Sequence, residues 1–159
     1  MHVQGSAAYI DDMPAPKGTL HVAFALSEVA HGKINKIDIS SAKEAEGVHS
    51  ILLAKDIENL YIGAIKHDEP ILADEEVLFY GQAIAAVLAD SHENARAAAL
   101  LITTDVKELE AVVTIDQAMA KKSFLDEPII VSAGDSNKAI DSSKNKLDGS
   151  ISIGGKEHY

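Results

Sequence analysis

The chain has 159 residues, of which 47% are apolar, and its 25 acidic and 14 basic side chains leave a formal net charge of −11. This acidic balance argues against binding to a nucleic acid backbone, which requires a basic face. Cysteine is absent, which excludes disulfides, thiolate metal sites and a cysteine nucleophile. No signal peptide is visible, and no apolar run approaches the roughly 18 residues of a membrane span. We therefore expect a cytoplasmic protein that makes no membrane contact.

The first half of the chain predicts a strand, strand, helix, strand unit after a loop-like start. Residues 20–27, 33–39 and 48–53 have the composition of strands. Between the last two, Ser41-Ala42-Lys43-Glu44 fits a capping box, in which a hydroxyl and a carboxylate each satisfy a free N–H group of the first helical turn. Gly47 then supplies the usual left-handed exit from a short helix.

The second half begins with a polar, turn-rich segment at residues 55–75 and a predicted short strand from Val77 to Tyr80. The apolar run from Ala83 to Ala89 is typical of a strand that is covered on both faces. Ser91 is expected to cap the clearest helix of the chain. The remaining signals are a narrow apolar helix face at Ala95, Ala98, Ala99 and Ile102, a strand candidate around Val106, and a capping box at Thr114-Ile115-Asp116-Gln117 that opens a helix over 115–121.

The composition changes after Leu125, and residues 132–150 contain few apolar anchors, as a flexible arm would. Polar and apolar residues then alternate from Ser150 to Ile153, which predicts a half-buried strand, and a Gly-Gly pair follows. The chain stops directly after this pair, so we expect it to be a piece of a longer protein. The predicted organisation is an α/β domain at 5–122, a linker at 123–149 and a truncated strand at 150–159.

The residues alone indicate no catalytic or metal site. The seven histidines lack the spacing of metal ligands, and His67-Asp68-Glu69, the densest polar cluster, is typical of a solvated loop. Asp11-Asp12 is typical of a turn. No nucleophile elbow, dinucleotide fingerprint or phosphate loop is present. From the residues alone, the chain is therefore an α/β domain of unknown role.

Six segments, in order along nearly the whole chain, resemble the molybdenum hydroxylases, the family of xanthine dehydrogenase and aldehyde oxidase. No single segment is specific, but the six in register carry the resemblance, and it is greatest to xanthine dehydrogenase. The segments are Gly5-Ser6-Ala7-Ala8-Tyr9-Ile10-Asp11-Asp12-Met13-Pro14, Ala30-His31-Gly32-Lys33-Ile34 with Ile37-Asp38-Ile39-Ser40, Gly47-Val48 with Ala54-Lys55-Asp56-Ile57, residues 67–82, Leu109-Glu110-Ala111-Val112 with Thr114-Ile115-Asp116-Gln117-Ala118, and residues 149–159.

The resemblance implies the α/β hammerhead domain of a molybdopterin-binding subunit: an α/β (α+β) fold with a mixed sheet, short helices and an extended C-terminal arm. In the complete enzyme it implies hydroxylation of a purine with oxygen from water and electron transfer through iron–sulfur clusters to FAD and NAD. The molybdenum–molybdopterin cofactor and the catalytic glutamate would lie outside this chain, and the clusters and flavin on other domains or subunits. These are therefore the expected partners, and the isolated chain is expected to be non-catalytic.

The resemblance implies a cofactor contact only at Gly154, Gly155 and Lys156. Lys156 stands where the family has a glutamine. A glutamine amide both donates and accepts hydrogen bonds, whereas an ammonium group only donates and adds charge. No catalytic residue and no metal ligand is expected in this chain.

Two other interpretations remain open. One is a free-standing acidic α/β module that docks onto another protein. The other is the hammerhead domain of an oxidoreductase that acts on aldehydes or other N-heterocycles. Because the substrate pocket is expected outside this chain, the sequence does not choose between these substrates.

Overall fold

The computed structural model describes residues 2–155, which pack as two units that divide between Val112 and Val113. The strands are β1 (His21–Leu26), β2 (Gly32–Asp38), β3 (Val48–Leu53), β4 (Tyr61–Ile62), β5 (Glu69–Pro70), β6 (Glu76–Val77), β7 (Ala83–Ala89) and β8 (Thr103–Glu108). The α-helices are α1 (Ser40–Lys43), α2 (His92–Ala99), α3 (Ile115–Lys121) and α4 (Ser136–Ser142). Short 3-10 turns occur at His2–Gln4, Ile10–Asp12 and Ala54–Asp56.

The first unit is built on a three-stranded sheet in the order β1-β7-β3, with both pairs antiparallel. The central strand β7 is the apolar run that predicted a strand covered on both faces, and five of its seven residues are buried. Side chains alternate across the sheet. Ala85, Val87 and Ala89 therefore belong to one apolar cluster, while Ala86 packs with Leu72 and Ala54 in another.

Helix α2 packs on this sheet through alanines, as its sequence spacing predicted. Ala95 and Ala98 are fully buried, and they share a cluster with Ala23 and Ala25 of β1. The Ser91 hydroxyl accepts a hydrogen bond from the Asn94 N–H at 3.1 Å, which confirms the predicted cap. Methyl side chains let the helix lie close to the strands.

A second sheet of the same unit has the order β6-β2-β8, and a separate two-stranded sheet joins β4 to β5. Gly32 begins β2, where a Cβ atom would lie 2.5 Å from Val106 Cγ1 and 3.0 Å from the Lys107 carbonyl oxygen. Only glycine permits this close approach of β2 to β8.

The second unit contains α3 and α4. Thr114 and Gln117 form the predicted capping box: the Thr114 hydroxyl accepts from the Gln117 N–H, and the Gln117 side chain accepts from the Thr114 N–H. Helix α3 ends at Lys122 in the left-handed conformation, with φ of 54°. Both helices expose nearly all their residues within this unit.

The structure confirms the predicted α/β class with short helices, and it corrects several local predictions. Every strand pair in residues 2–155 is antiparallel rather than mixed. The capping box at Ser41 is wrong, since α1 begins at Ser40 with Ile39 at its cap position, and the Asp38 carboxylate accepts from the Ser40 N–H at 3.1 Å. The strand predicted from Val77 to Tyr80 is limited to Glu76–Val77, because the chain turns towards Gly81, whose φ is +85°.

Two local features of the C-terminal region differ from what the sequence pattern indicated, while the domain bounds 5–122, 123–149 and 150–159 stay predictions. Helix α4 lies within the segment predicted to be a flexible arm, and the Asp135 carboxylate caps it by accepting from the Lys138 N–H at 2.9 Å. Ser150 to Ile153 form no strand, although their alternation predicted one. A strand requires a neighbour for its backbone groups, and within residues 2–155 no other strand pairs with this segment. No helix in this described range is long and apolar enough to span a membrane.

Candidate functional site

The Gly154–Gly155 pair is the segment that the sequence singled out for cofactor contact. Both glycines are exposed, and a Cβ atom added at either would meet nothing within 4 Å. Lys156, the third predicted contact residue, lies outside the described residues. The described residues build no cradle around the glycines, so they do not fit a molybdenum cofactor on their own. The contact at Gly154, Gly155 and Lys156 stays a prediction.

The two acidic segments considered as sites behave as loop and turn residues. Asp12 accepts a hydrogen bond from the Tyr9 N–H at 3.0 Å and so closes a 3-10 turn. His67 and Asp68 are exposed, and Glu69 forms part of the short strand β5. Within residues 2–155, no group of three or more His, Cys, Asp or Glu side chains is placed to hold a metal ion.

His31 makes a three-way connection that the sequence did not predict. Its Nε2 lies 2.6 Å from Glu76 Oε1, and its Nδ1 lies 2.8 Å from the Glu110 carbonyl oxygen. A carbonyl and a carboxylate are acceptors, so both ring nitrogens donate when the imidazole is protonated. The Glu110 carbonyl, and after it the Glu76 carboxylate, raise the pKa of His31 above its ordinary value of 6.5.

This connection joins the start of β2, strand β6 and the end of β8. The Leu109 N–H also donates to the His31 carbonyl oxygen at 2.9 Å. In the sequence analysis, His31 is named only within Ala30-His31-Gly32-Lys33-Ile34, one of the segments that resemble the family. The pairing follows from the strand register, in which Lys33 lies opposite Glu76 and Gly32 opposite Glu108, and the sequence carries no signal for that register.

A buried polar pair fixes the turn that leads into β7. Gln82 is 3% exposed, and its side-chain oxygen accepts from the Leu78 N–H at 2.7 Å. Its carbonyl accepts from the Ser27 N–H at 2.8 Å, and the Ser27 carbonyl accepts from the Gly81 N–H at 2.8 Å. Ser27 is likewise buried, at 2% exposed. These bonds hold the end of β1 against the turn before β7, so Gln82 is a structural residue.

A groove of about 660 Å³ lies beside β1, and we call it the β1 slot. Its walls are β1 and the residues after it, the turn at Tyr80–Gly81, the C-terminal end of α2, and β8. Both β1 and β8 are edge strands of their sheets. Its large apolar lining residues are Phe24, Leu26, Val29, Tyr80, Leu100, Ile102 and Val106. Ser27, Glu28, Thr103 and Thr104 add polar groups to the same lining.

Residues 4–110 match the family model described as the a/b hammerhead domain of aldehyde oxidase and xanthine dehydrogenase. The chain belongs to this family. It is 40% identical to xanthine dehydrogenase 1 of Arabidopsis thaliana, over all of this chain and 12% of that protein. It is 36% identical to xanthine dehydrogenase/oxidase of Gallus gallus, over 98% of this chain and 11% of that protein. The hammerhead chain thus spans about an eighth of the length of the curated relatives it matches.

Solved structures confirm the hammerhead fold. The chain superposes on the aldehyde oxidoreductase from Desulfovibrio gigas with a TM-score of 0.69 and 36% identity, over 82% of this chain and 16% of that one. It superposes on quinoline 2-oxidoreductase from Pseudomonas putida 86 with a TM-score of 0.66 and 32% identity, over 74% of this chain and 16% of that one. The resemblance to molybdenum hydroxylases inferred from the six segments is therefore confirmed.

Proposed function

We propose that this hammerhead chain serves a molybdenum hydroxylase of the xanthine dehydrogenase type as a non-catalytic domain that packs against the rest of the molybdopterin-binding subunit. The observation that carries the proposal is the family match over residues 4–110, together with 36–40% identity to xanthine dehydrogenases from a plant and a bird. The full-length enzyme would work in the cytoplasm and hydroxylate a purine.

The proposal assigns the molybdenum–molybdopterin cofactor, the iron–sulfur clusters and FAD to other parts of that enzyme. When bound, the cofactor would supply the hydroxylation chemistry. The contact with it at Gly154 and Gly155 rests on the resemblance, and glycine is the residue that lets another molecule approach the backbone closely. Lys156 would place an ammonium donor where the family has an amide. The chain itself would contribute position rather than reacting groups.

The test is expression of the source reading frame to its own stop codon, next to the 159-residue chain. We expect the full-length product to contain molybdenum, measured by metal analysis, and to oxidise xanthine with electron transfer to NAD. The 159-residue chain should oxidise none. A full-length product without molybdenum, or turnover of xanthine by the purified 159-residue chain, would contradict the proposal.

A second candidate substrate class is supported by the solved structures, which include an aldehyde oxidoreductase and a quinoline 2-oxidoreductase at 36% and 32% identity. Assays of the full-length product with xanthine, an aromatic aldehyde and quinoline separate these classes. Preference for the aldehyde or quinoline would replace the purine assignment and leave the hammerhead role intact.

The hammerhead domain and the free-standing interaction module predict reading frames of different length in the source gene. A frame that stops at Tyr159 would favour the module, which would then have to fold cooperatively by itself. Limited proteolysis of the 159-residue chain adds a check, since clean trimming within residues 122–132 is expected if the segment after them is ordered only within the larger enzyme.

A further inference from the structure

Strand β1 is an edge strand without the charges that usually protect such an edge. In residues 2–155 it pairs with β7 on one side and with no strand on the other. Its sequence, His-Val-Ala-Phe-Ala-Leu, contains no Asp, Glu, Lys or Arg. By contrast β8, the other edge at the β1 slot, carries Asp105, Lys107 and Glu108. Exposed strand edges normally carry charges, prolines or bulges that prevent pairing with another chain. The β1–β7 register shifts between Ala25 and Leu26, where the extra residue is on β7, and β1 itself has neither a charge nor a proline, so its edge is suited to pairing.

The side chains of β1 support the same conclusion. Ala23 and Ala25 point to the helix-covered face and are buried, whereas Val22, Phe24 and Leu26 are 44%, 51% and 56% exposed. Three large apolar side chains at alternate positions form a stripe that gains free energy when it is covered. A segment in strand conformation matches this two-residue period.

The β1 slot provides the space for such a strand. Phe24, Ala25 and Leu26 of β1 line it, and Leu100, Ile102 and Val106 form part of its other walls. Among the described residues that line it, Glu28 is the one charged side chain. A segment that hydrogen-bonds to the β1 backbone would therefore place alternate side chains beside the apolar residues of the slot.

We propose that an extended segment from elsewhere in the same molybdenum hydroxylase, uncharged and apolar at alternate positions, adds to β1 and fills the β1 slot. The three-stranded sheet thereby becomes four-stranded, and main-chain hydrogen bonds supply the contact while the slot selects the side chains. This inference rests on the proposed function. The source of the segment is the remaining polypeptide, since related enzymes are about eight times longer than this chain.

Hydrogen–deuterium exchange tests this pairing directly. Amide exchange is measured by mass spectrometry in the full-length product of the reading frame and in the 159-residue chain. We expect the outward-facing amides of β1 to exchange at least tenfold more slowly in the full-length enzyme. Amides of β7, which are paired on both sides within this chain, serve as the internal reference and should change little. Equal exchange of β1 in both proteins would overturn the proposal.

A charge on the edge tests the slot itself. Phe24→Lys places an ammonium group in the apolar space, and Ile65→Lys places the same group on a loop residue that is 98% exposed and outside the slot. Circular dichroism of the 159-residue variants checks that both fold. We expect Phe24→Lys to abolish the added β1 protection in the full-length enzyme and Ile65→Lys to keep it. Full protection in Phe24→Lys would count against a strand in the slot.

The failure of this inference is distinguishable from failure of the proposed function. An enzyme that contains molybdenum and oxidises its substrate, but leaves the β1 amides unprotected, contradicts only the added strand. A full-length product without molybdenum contradicts the proposed function, whatever the exchange of β1.

Discussion

His31 Nε2 lies 2.6 Å from Glu76 Oε1, across 45 residues of sequence. With the Glu110 carbonyl on its other nitrogen, the imidazole joins three segments of the first unit. Since both partners accept hydrogen bonds, the charged form of His31 is the form that fits this geometry.

We predict that this connection makes folding stability depend on pH. The pKa of His31 is raised in the folded protein. The stabilisation that protonated His31 adds to the free energy of unfolding is therefore fully present below the unfolded pKa of 6.5, and it is lost as pH rises through the folded pKa. The side chains of His31 and Glu76 are 30% and 47% exposed, so solvent screening limits the contribution to about 1 kcal/mol or less. Chemical denaturation from pH 5 to 9 would measure it, as would NMR titration of the His31 ring.

Two variants complete this experiment. Glu76→Gln removes the carboxylate charge, so the NMR titration of His31 should shift to lower pH and the loss of stability with rising pH should shrink. His49→Gln changes an exposed histidine of β3 and should leave the profile as it is. An unchanged His31 titration in Glu76→Gln would show that the carboxylate does not hold the charge.

Helix α2 should depend on its cap. Ser91→Ala removes the hydroxyl that accepts from the Asn94 N–H, and we expect the free energy of unfolding to fall by about 1 kcal/mol. Urea denaturation followed by circular dichroism measures the change. Ser50→Ala, at an exposed position of β3, is the matched control and should alter stability by no more than about 0.5 kcal/mol. Equal effects of the two substitutions would argue that the cap contributes nothing.

Adjacent alanines on α2 give a sharp test of the helix–sheet contact. Ala98 is fully buried, so Ala98→Leu should overpack the core and destabilise the fold by about 1–3 kcal/mol. Ala97 is exposed, and Ala97→Leu should be nearly neutral, within about 0.5 kcal/mol. Thermal unfolding of both variants gives the comparison. If Ala98→Leu melted like the original chain, the packing of α2 described above would be wrong.

Gly32→Ala should weaken the pairing of β2 with β8. The added methyl group would meet Val106 Cγ1 at 2.5 Å and the Lys107 carbonyl oxygen at 3.0 Å, and we expect a loss of about 1–3 kcal/mol from the strain. Gly149→Ala adds the same group into open space and should cost little. Denaturation curves of the two variants measure this difference in stability. Equal midpoints would refute the close contact of β2 with β8.

Features of the fold that depend on neighbours in sequence could be predicted from the sequence. Ser91 and Thr114 cap their helices because the groups they bond lie three residues away, and the alanine spacing of α2 identified its buried face. The connection from His31 to Glu76 could not be predicted, because it depends on how β2 and β6 align. Ser150–Ile153 has the alternation of polar and apolar residues that is typical of a strand. It forms no strand here because no neighbouring strand among residues 2–155 pairs with its backbone groups.

The alanines between α2 and its sheet have a mechanical consequence. Alanine has no side-chain rotamers, so burying Ala95 and Ala98 costs no side-chain conformational entropy. For the same reason, no rotamer change can absorb a shift of the helix against the strands. Helix α2 and the strands that it covers should therefore shift together rather than slide past each other at these alanines.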